Sequence, residues 1–137
     1  MIRSYKDSDY DQLKELYLHP EWFGGQFDEA RDNREGLASI MARDPQAILV
    51  CEEDGELIGT VSLIEDGRVA WLFRFAVKDN NHKIAEALYE KASEVFKTRG
   101  HTQIIVYAPI GNQTLGKRYN ALDMNKGRDF TAYYKDI

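Results

Sequence analysis

The chain has one cysteine, and that alone excludes an internal disulfide. Cys51 sits in the apolar run Ile48-Leu49-Val50-Cys51 and reads as a buried structural thiol, not a nucleophile. Apolar runs are short too. None approaches the roughly 18 residues that a bilayer span requires, so no membrane association is expected. The opening MIRSYKDSDYDQ is too polar for a signal peptide, and with the lone thiol it sets the expectation of a cytoplasmic protein. There is no excess of positive charge: 18 Lys and Arg stand against 23 Asp and Glu, a net charge of -5, which argues against nucleic acid as a partner. His19, His82 and His101 are isolated, with no metal-ligand spacing, and no metal is expected. No Ser-His-Asp order, phosphate-binding P-loop, internal repeat or low-complexity linker is visible.

What is present is the composition of an ordinary globular domain, 43% hydrophobic and 30% charged over 137 residues, which fits one domain spanning 1–137. Ile2–Tyr5 is a short candidate strand. Ser8 followed by Asp11 reads as a capping box for a helix with Tyr10, Leu13, Leu16 and Tyr17 on one face, ended by His19-Pro20. Residues Glu21–Asp32 show no period, and a second helix is expected from Asn33 to Ala42. From Gln46 the period changes to two. Ala47–Cys51, Leu57–Ile64 and Val69–Val77 are strands joined at Asp54-Gly55 and Asp66-Gly67, an antiparallel meander. Ile84, Ala87, Leu88, Ala92, Val95 and Phe96 then form a helical stripe closed by Gly100. Gln103–Tyr107 carries the solid apolar run of a strand buried on both faces, expected parallel to the strand before the helix. A short helix from Asn112 and a last strand, Phe130–Tyr134, complete the order β-α-α-β-β-β-α-β-α-β.

That order, with Asn112 followed seven residues later by Tyr119 in NQTLGKRYNALDM, resembles a GNAT-superfamily N-acetyltransferase over essentially the whole chain. The resemblance implies an α/β fold with a mixed, mainly antiparallel central sheet flanked by helices. It implies acetyl transfer from acetyl-CoA to an amine on a small molecule or protein, and it leaves the oligomeric state open, a homodimer included. In the family the fourth strand ends near a Val, here Val77 after Phe75 and Ala76, and its edge pairs with the pantetheine arm. The diphosphate binds a loop and helix start that usually read Gln or Arg, two residues, Gly, one residue, then Gly or Ala. Here the loop is Lys78-Asp79-Asn80-Asn81-His82-Lys83-Ile84-Ala85. Asn80 stands for the Gln or Arg, Lys83 for the first Gly and Ala85 for the second, in a loop about two residues short and free of glycine.

The resemblance further implies that Asn112 opens a helix beside CoA and that Tyr119 protonates the departing thiolate. Both have plain structural readings as well, Asn112 as a helix N-cap and Tyr119 as a core residue in register with Leu115 and Leu122. The Gly-Phe that commonly follows this Tyr is replaced by Asp123-Met124. Where relatives place a carboxylate base on the fourth strand, this chain has Arg74, which cannot act as a base and instead binds a carboxylate or phosphate of the acceptor or pairs with an Asp or Glu on a neighbouring strand. A GNAT-fold binding or regulatory protein without catalysis is the second reading, favoured by the glycine-free loop and Arg74.

Overall fold

The computed structural model describes all residues, 1–137, and its chain forms two compact units, Met1–Tyr107 and Ala108–Ile137. In the first unit, strands β1 (Ile2–Ser4), β2 (Ile48–Glu53), β3 (Glu56–Glu65) and β4 (Ala70–Val77) form a four-stranded antiparallel sheet in chain order. Helices α1 (Tyr10–Tyr17), α2 (Glu29–Asp32) and α3 (Arg34–Arg43) lie between β1 and β2, and α4 (His82–Thr98) follows β4. Tyr10, Leu13, Leu16 and Tyr17 of α1 join Leu37 of α3 and Ile48, Val50 and Ala76 of the sheet in one core. Alternation of side chains along β2 sends Leu49 and Cys51 to the opposite face, and all four of Ile48 to Cys51 are buried because both faces are covered. Burial also pushes the Cys51 thiol up, as expected of a structural cysteine.

Helix α4 is seated on the sheet at Gly59. A Cβ there would lie 2.9 Å from Leu88 Cδ1 and 3.0 Å from Ile84 Cγ2. The missing side chain therefore sets how closely the first two turns of α4 approach β3. Gly59→Ala is expected to destabilise the protein by about 1 kcal/mol, the low end for overpacking, because the Leu88 methyl can swing while the branched Ile84 cannot. Urea unfolding checks it. At its other end α4 closes as the sequence predicts: Gly100 sits at φ 91°, its N–H donates to Lys97 O, and His101 N–H donates to Phe96 O, both at 3.0 Å.

Several expectations need correction. The first-turn capping box does not form at Ser8. Asp9 precedes α1, and its carboxylate accepts from Lys6 N–H at 2.9 Å and pairs with Arg3 at 2.7 Å, tying the helix entry to β1. The stretch without period contains a single helical turn, α2, whose N-cap Asp28 accepts from Ala30 N–H. Residues Gln103–Tyr107 are not a full strand. They form one parallel bridge, Ile105 to Trp71, with Leu72 N–H donating to Ile105 O at 2.9 Å and Ile105 N–H to Ala70 O at 2.8 Å. The parallel sense is as expected, but Ile104, Ile105 and Val106 are only half-buried, with β4 on one side and no strand on the other. The last strand, Phe130–Tyr134, does not form either, and its aromatic residues Phe130, Tyr133 and Tyr134 are exposed. An apolar run predicts a strand only where a neighbouring edge exists to satisfy its backbone.

The second unit contains one helix, α5 (Gln113–Asn120). Leu115 and Tyr119 are its buried positions, four residues apart as an amphipathic helix requires, and Leu122 in the turn that follows is buried too.

Candidate functional site

The geometry of the first unit is set by one irregularity in β4. Thr60 pairs with Ala76 but Ser62 pairs with Phe73, so β4 carries one residue more than β3 across this stretch. The extra residue is a β-bulge with Arg74 at φ 48°, and after it Phe75, Ala76 and Val77 are all buried. Left-handed geometry in a non-glycine residue costs about 1–3 kcal/mol and needs compensation. Arg74 supplies it through its side chain. Nε donates to Asp32 Oδ1 at 3.0 Å, Nη2 lies 2.9 Å from Asp32 Oδ2, and Nη1 donates to Gln26 Oε1 at 2.6 Å. Both ends of the Arg74–Asp32 pair are buried, and the guanidinium also stacks over the Phe73 ring at 4.4 Å. The sequence allowed an acidic partner on a neighbouring strand; the partner is on α2 instead.

Arg74 lines a cleft of about 440 Å³ together with Tyr17, Gln26, Phe27, Asp28 and Arg31. Burial raises the Tyr17 hydroxyl above its ordinary value, so it stays protonated. Asp28 is engaged by Arg31 at 3.0 Å. The cleft wall is thus a set of paired charges together with the apolar face of Phe27. Of this site the sequence pointed only to Arg74, because Gln26, Phe27, Asp28 and Arg31 come from the unpatterned Glu21–Asp32 stretch and Tyr17 reads as a core position of α1.

On the side of β4 away from β3, the only backbone pairing is at Ala70 and Leu72, with Ile105. Phe73–Val77 continue beyond it as a strand edge without a neighbour on that side. The chain then turns through Lys78, Asp79 and Asn80 into α4. The turn needs two left-handed residues, and Asp79 at φ 54° and Asn80 at φ 53° provide them without glycine. Asp and Asn tolerate this region better than other side-chain-bearing residues. Lys78 is paired with Glu56. Asn81 is the N-cap of α4, its Oδ1 accepting from Ile84 N–H at 3.3 Å and its carbonyl from Ala85 N–H at 3.0 Å.

The candidate cofactor residues therefore divide. Phe75, Ala76 and Val77 form the strand edge. His82 and Lys83 expose two first-turn N–H groups that have no acceptor within the chain, at the positive end of a 17-residue helix. Ile84 and Ala85 use their N–H groups inside the helix, and the Ala85 side chain is buried. Asn80 turns elsewhere: its Oδ1 accepts from Phe23 N–H at 2.8 Å. In the second unit Asn112 caps α5, accepting from Leu115 N–H at 3.0 Å, and Tyr119 lies two turns along the same helix. The Tyr119 hydroxyl is pushed up to about 12, first by burial and then with an opposing contribution from Arg118.

Comparison with known proteins gives these features a context. No curated protein sequence matches the chain. Among solved structures it is similar to an aminoglycoside antibiotic 6'-N-acetyltransferase from Acinetobacter haemolyticus, with a TM-score of 0.77, 17% identity, and coverage of 100% of this chain and 99% of that one. It is similar to the PaiA N-acetyltransferase from Thermoplasma acidophilum in complex with coenzyme A, with a TM-score of 0.76, 22% identity, and coverage of 96% and 92%. A Mycobacterium tuberculosis protein in complex with CoA aligns with a TM-score of 0.63, 16% identity, and coverage of 88% and 70%. At these identities the likeness is one of fold. The sheet flanked by helices is the architecture that those proteins share, and no helix of this chain is long and apolar enough to cross a membrane. The model of the acetyltransferase (GNAT) family matches residues 8–118, most of the chain, and the chain belongs to that family.

Proposed function

We propose that this protein transfers an acetyl group from acetyl-CoA to an amine-bearing acceptor, using the edge of β4 and the start of α4 to hold the donor. The observation that carries the reading is the pair of unpartnered N–H groups at His82 and Lys83, set at a helix N-terminus by a turn built from Asp79 and Asn80. Two backbone donors and a helix dipole favour a diphosphate, and the exposed Lys83 side chain adds a cation. Acetyl-CoA, when bound, supplies an activated thioester carbonyl. At the end of β4, the backbone N–H of Ala76 or Val77 that points away from β3 is assigned to stabilise the oxygen on which negative charge develops. Tyr119 Oη is assigned as the proton source for the sulfur, a role that its own protonated state supports. Arg74, held by Asp32 and Gln26, is assigned to the acceptor side through the cleft it lines, as a fixed wall and not as a base.

The neighbours crystallised with coenzyme A support the choice of donor, and the acidic pI of about 5.2 suits an amine acceptor. The test is direct. Acetyl-CoA at 100 times its dissociation constant should stabilise the protein by about 2.7 kcal/mol, several degrees of melting temperature. Lys83→Glu should weaken that binding by about 1–3 kcal/mol, because it places negative charge beside the diphosphate. No shift with millimolar acetyl-CoA, or equal calorimetric affinities for wild type and variant, counts against the site.

A further inference from the structure

Two loops of the first unit hold side-chain-bearing residues in the left-handed region, and one hydrogen bond joins them. Phe23 sits at φ 58° and Asn80 at φ 53°, and Asn80 Oδ1 accepts from Phe23 N–H at 2.8 Å across 57 positions of sequence. The Phe23 side chain is fully buried, with its ring 5.1 Å from that of Phe75 on β4. A bulky residue at positive φ persists only where its surroundings over-determine it. The carboxamide of Asn80 is one of the contacts that does so. From Phe23 the chain turns through Gly24 at φ 92° and reaches Gln26 and Phe27 in the cleft, where Gln26 holds Arg74. On the other side, Asn80 directly precedes the cap Asn81 and the two open N–H groups of α4. The same side chain therefore belongs to the donor loop by position and, by its contact with Phe23, to the segment that leads into the acceptor cleft.

We propose that Asn80 is a positioning residue for the acceptor side and not a ligand of the donor: its carboxamide couples order at the start of α4 to the segment Phe23–Phe27, whose Gln26 and Phe27 line the cleft. The inference rests on the acetyl-CoA reading above. A ligand that restrains residues 78–83 restrains the Asn80 side chain, and with it the direction of the Phe23 N–H. The second loop then has less freedom left to lose when an acceptor arrives.

Residue-resolved amide hydrogen exchange with CoA as the probe tests this, alongside calorimetry of CoA binding. In the wild type, saturating CoA is expected to slow exchange at His82 and Lys83 and also at Phe23, the last by about tenfold, within the coupling usual between linked sites. Asn80→Gly keeps the left-handed backbone without strain and removes the carboxamide. It should bind CoA and protect His82 and Lys83 while protection at Phe23 disappears. Asn80→Asp, which restores an acceptor oxygen, should recover it at saturating CoA. The coupling is overturned if Phe23 responds equally in Asn80→Gly, or if the wild type protects the helix start and leaves Phe23 unchanged. That second outcome decides the matter even where Asn80→Gly fails to fold. Wild type that neither binds CoA nor changes its exchange removes the acyltransferase reading itself, and the coupling with it.

Discussion

Tyr119→Phe is expected to lower kcat by about 10²–10⁴-fold, the range for removing a general acid. The loss should fall at the lower end of that range. Burial holds the hydroxyl at about 12, whereas an ordinary thiol titrates near 8.5. The phenol is the weaker acid by about three to four powers of ten, so it gives the sulfur a strong hydrogen bond as charge develops and yields its proton only late. Packing does not require the oxygen, because phenylalanine fills nearly the same volume beside Leu115 and Leu122. The stability loss should stay at about 1–1.5 kcal/mol, the worth of one hydrogen bond, and CoA affinity should barely move. Steady-state kinetics with a thermal melt of the same preparation separates these effects. Full turnover in the Phe variant would leave Tyr119 as a core residue that happens to carry a hydroxyl.

Arg74→Ala is expected to destabilise the protein by about 3–5 kcal/mol, because it removes the counter-charge of the buried Asp32 carboxylate and leaves it only the Asp28 N–H, which donates to Oδ2 at 2.8 Å. Asp32 has 4% side-chain exposure, so solvent cannot take over from the guanidinium. For a domain whose total stability is about 5–15 kcal/mol this is a large fraction, roughly 10–20 °C in melting temperature. The bulge should relax at the same time, since the side chain that compensates its left-handed backbone is gone. Where enough folded protein survives at low temperature, the acceptor KM should rise while acetyl-CoA affinity stays nearly constant. Loss of both together would mean that the bulge, not the cleft wall, is what the donor site needs.

The parts of this fold that the sequence made legible are those governed by local rules. Asp54-Gly55 and Asp66-Gly67 mark the two hairpins, the Ile84-to-Phe96 stripe marks α4, and Gly100 marks its end, each through backbone chemistry contained within a few residues. Failures came where an element depends on a partner far along the chain. Gln103–Tyr107 and Phe130–Tyr134 have the composition of strands, yet strand formation is a property of two edges and not of one segment. The site shows the same division. Asn112 could be placed as a cap from residue type alone, whereas Asn81, the cap of α4, read only as part of the cofactor loop. The pairing of Arg74 with Asp32 and the contact of Asn80 with Phe23 join residues 42 and 57 positions apart, and no short-range signal encodes either. The bulge was invisible for a related reason: a single extra residue in β4 shows only when the pairing with β3 is counted.

The glycine-free turn before α4 has a thermodynamic consequence of its own. Glycine at Asp79 and Asn80 would reach the left-handed region without strain, but it would also give the unfolded and unliganded loop many more conformations. Asp and Asn accept a modest steric penalty and in return narrow that ensemble before any ligand arrives. The turn should therefore bind an anion with a smaller loss of entropy than a glycine-rich loop of the same length. Heat, which multiplies every entropic term, would then weaken binding less steeply. A helix entrance without glycine is stiffer by composition than a glycine-rich one, and its affinity for phosphate should hold over a wider span of temperature.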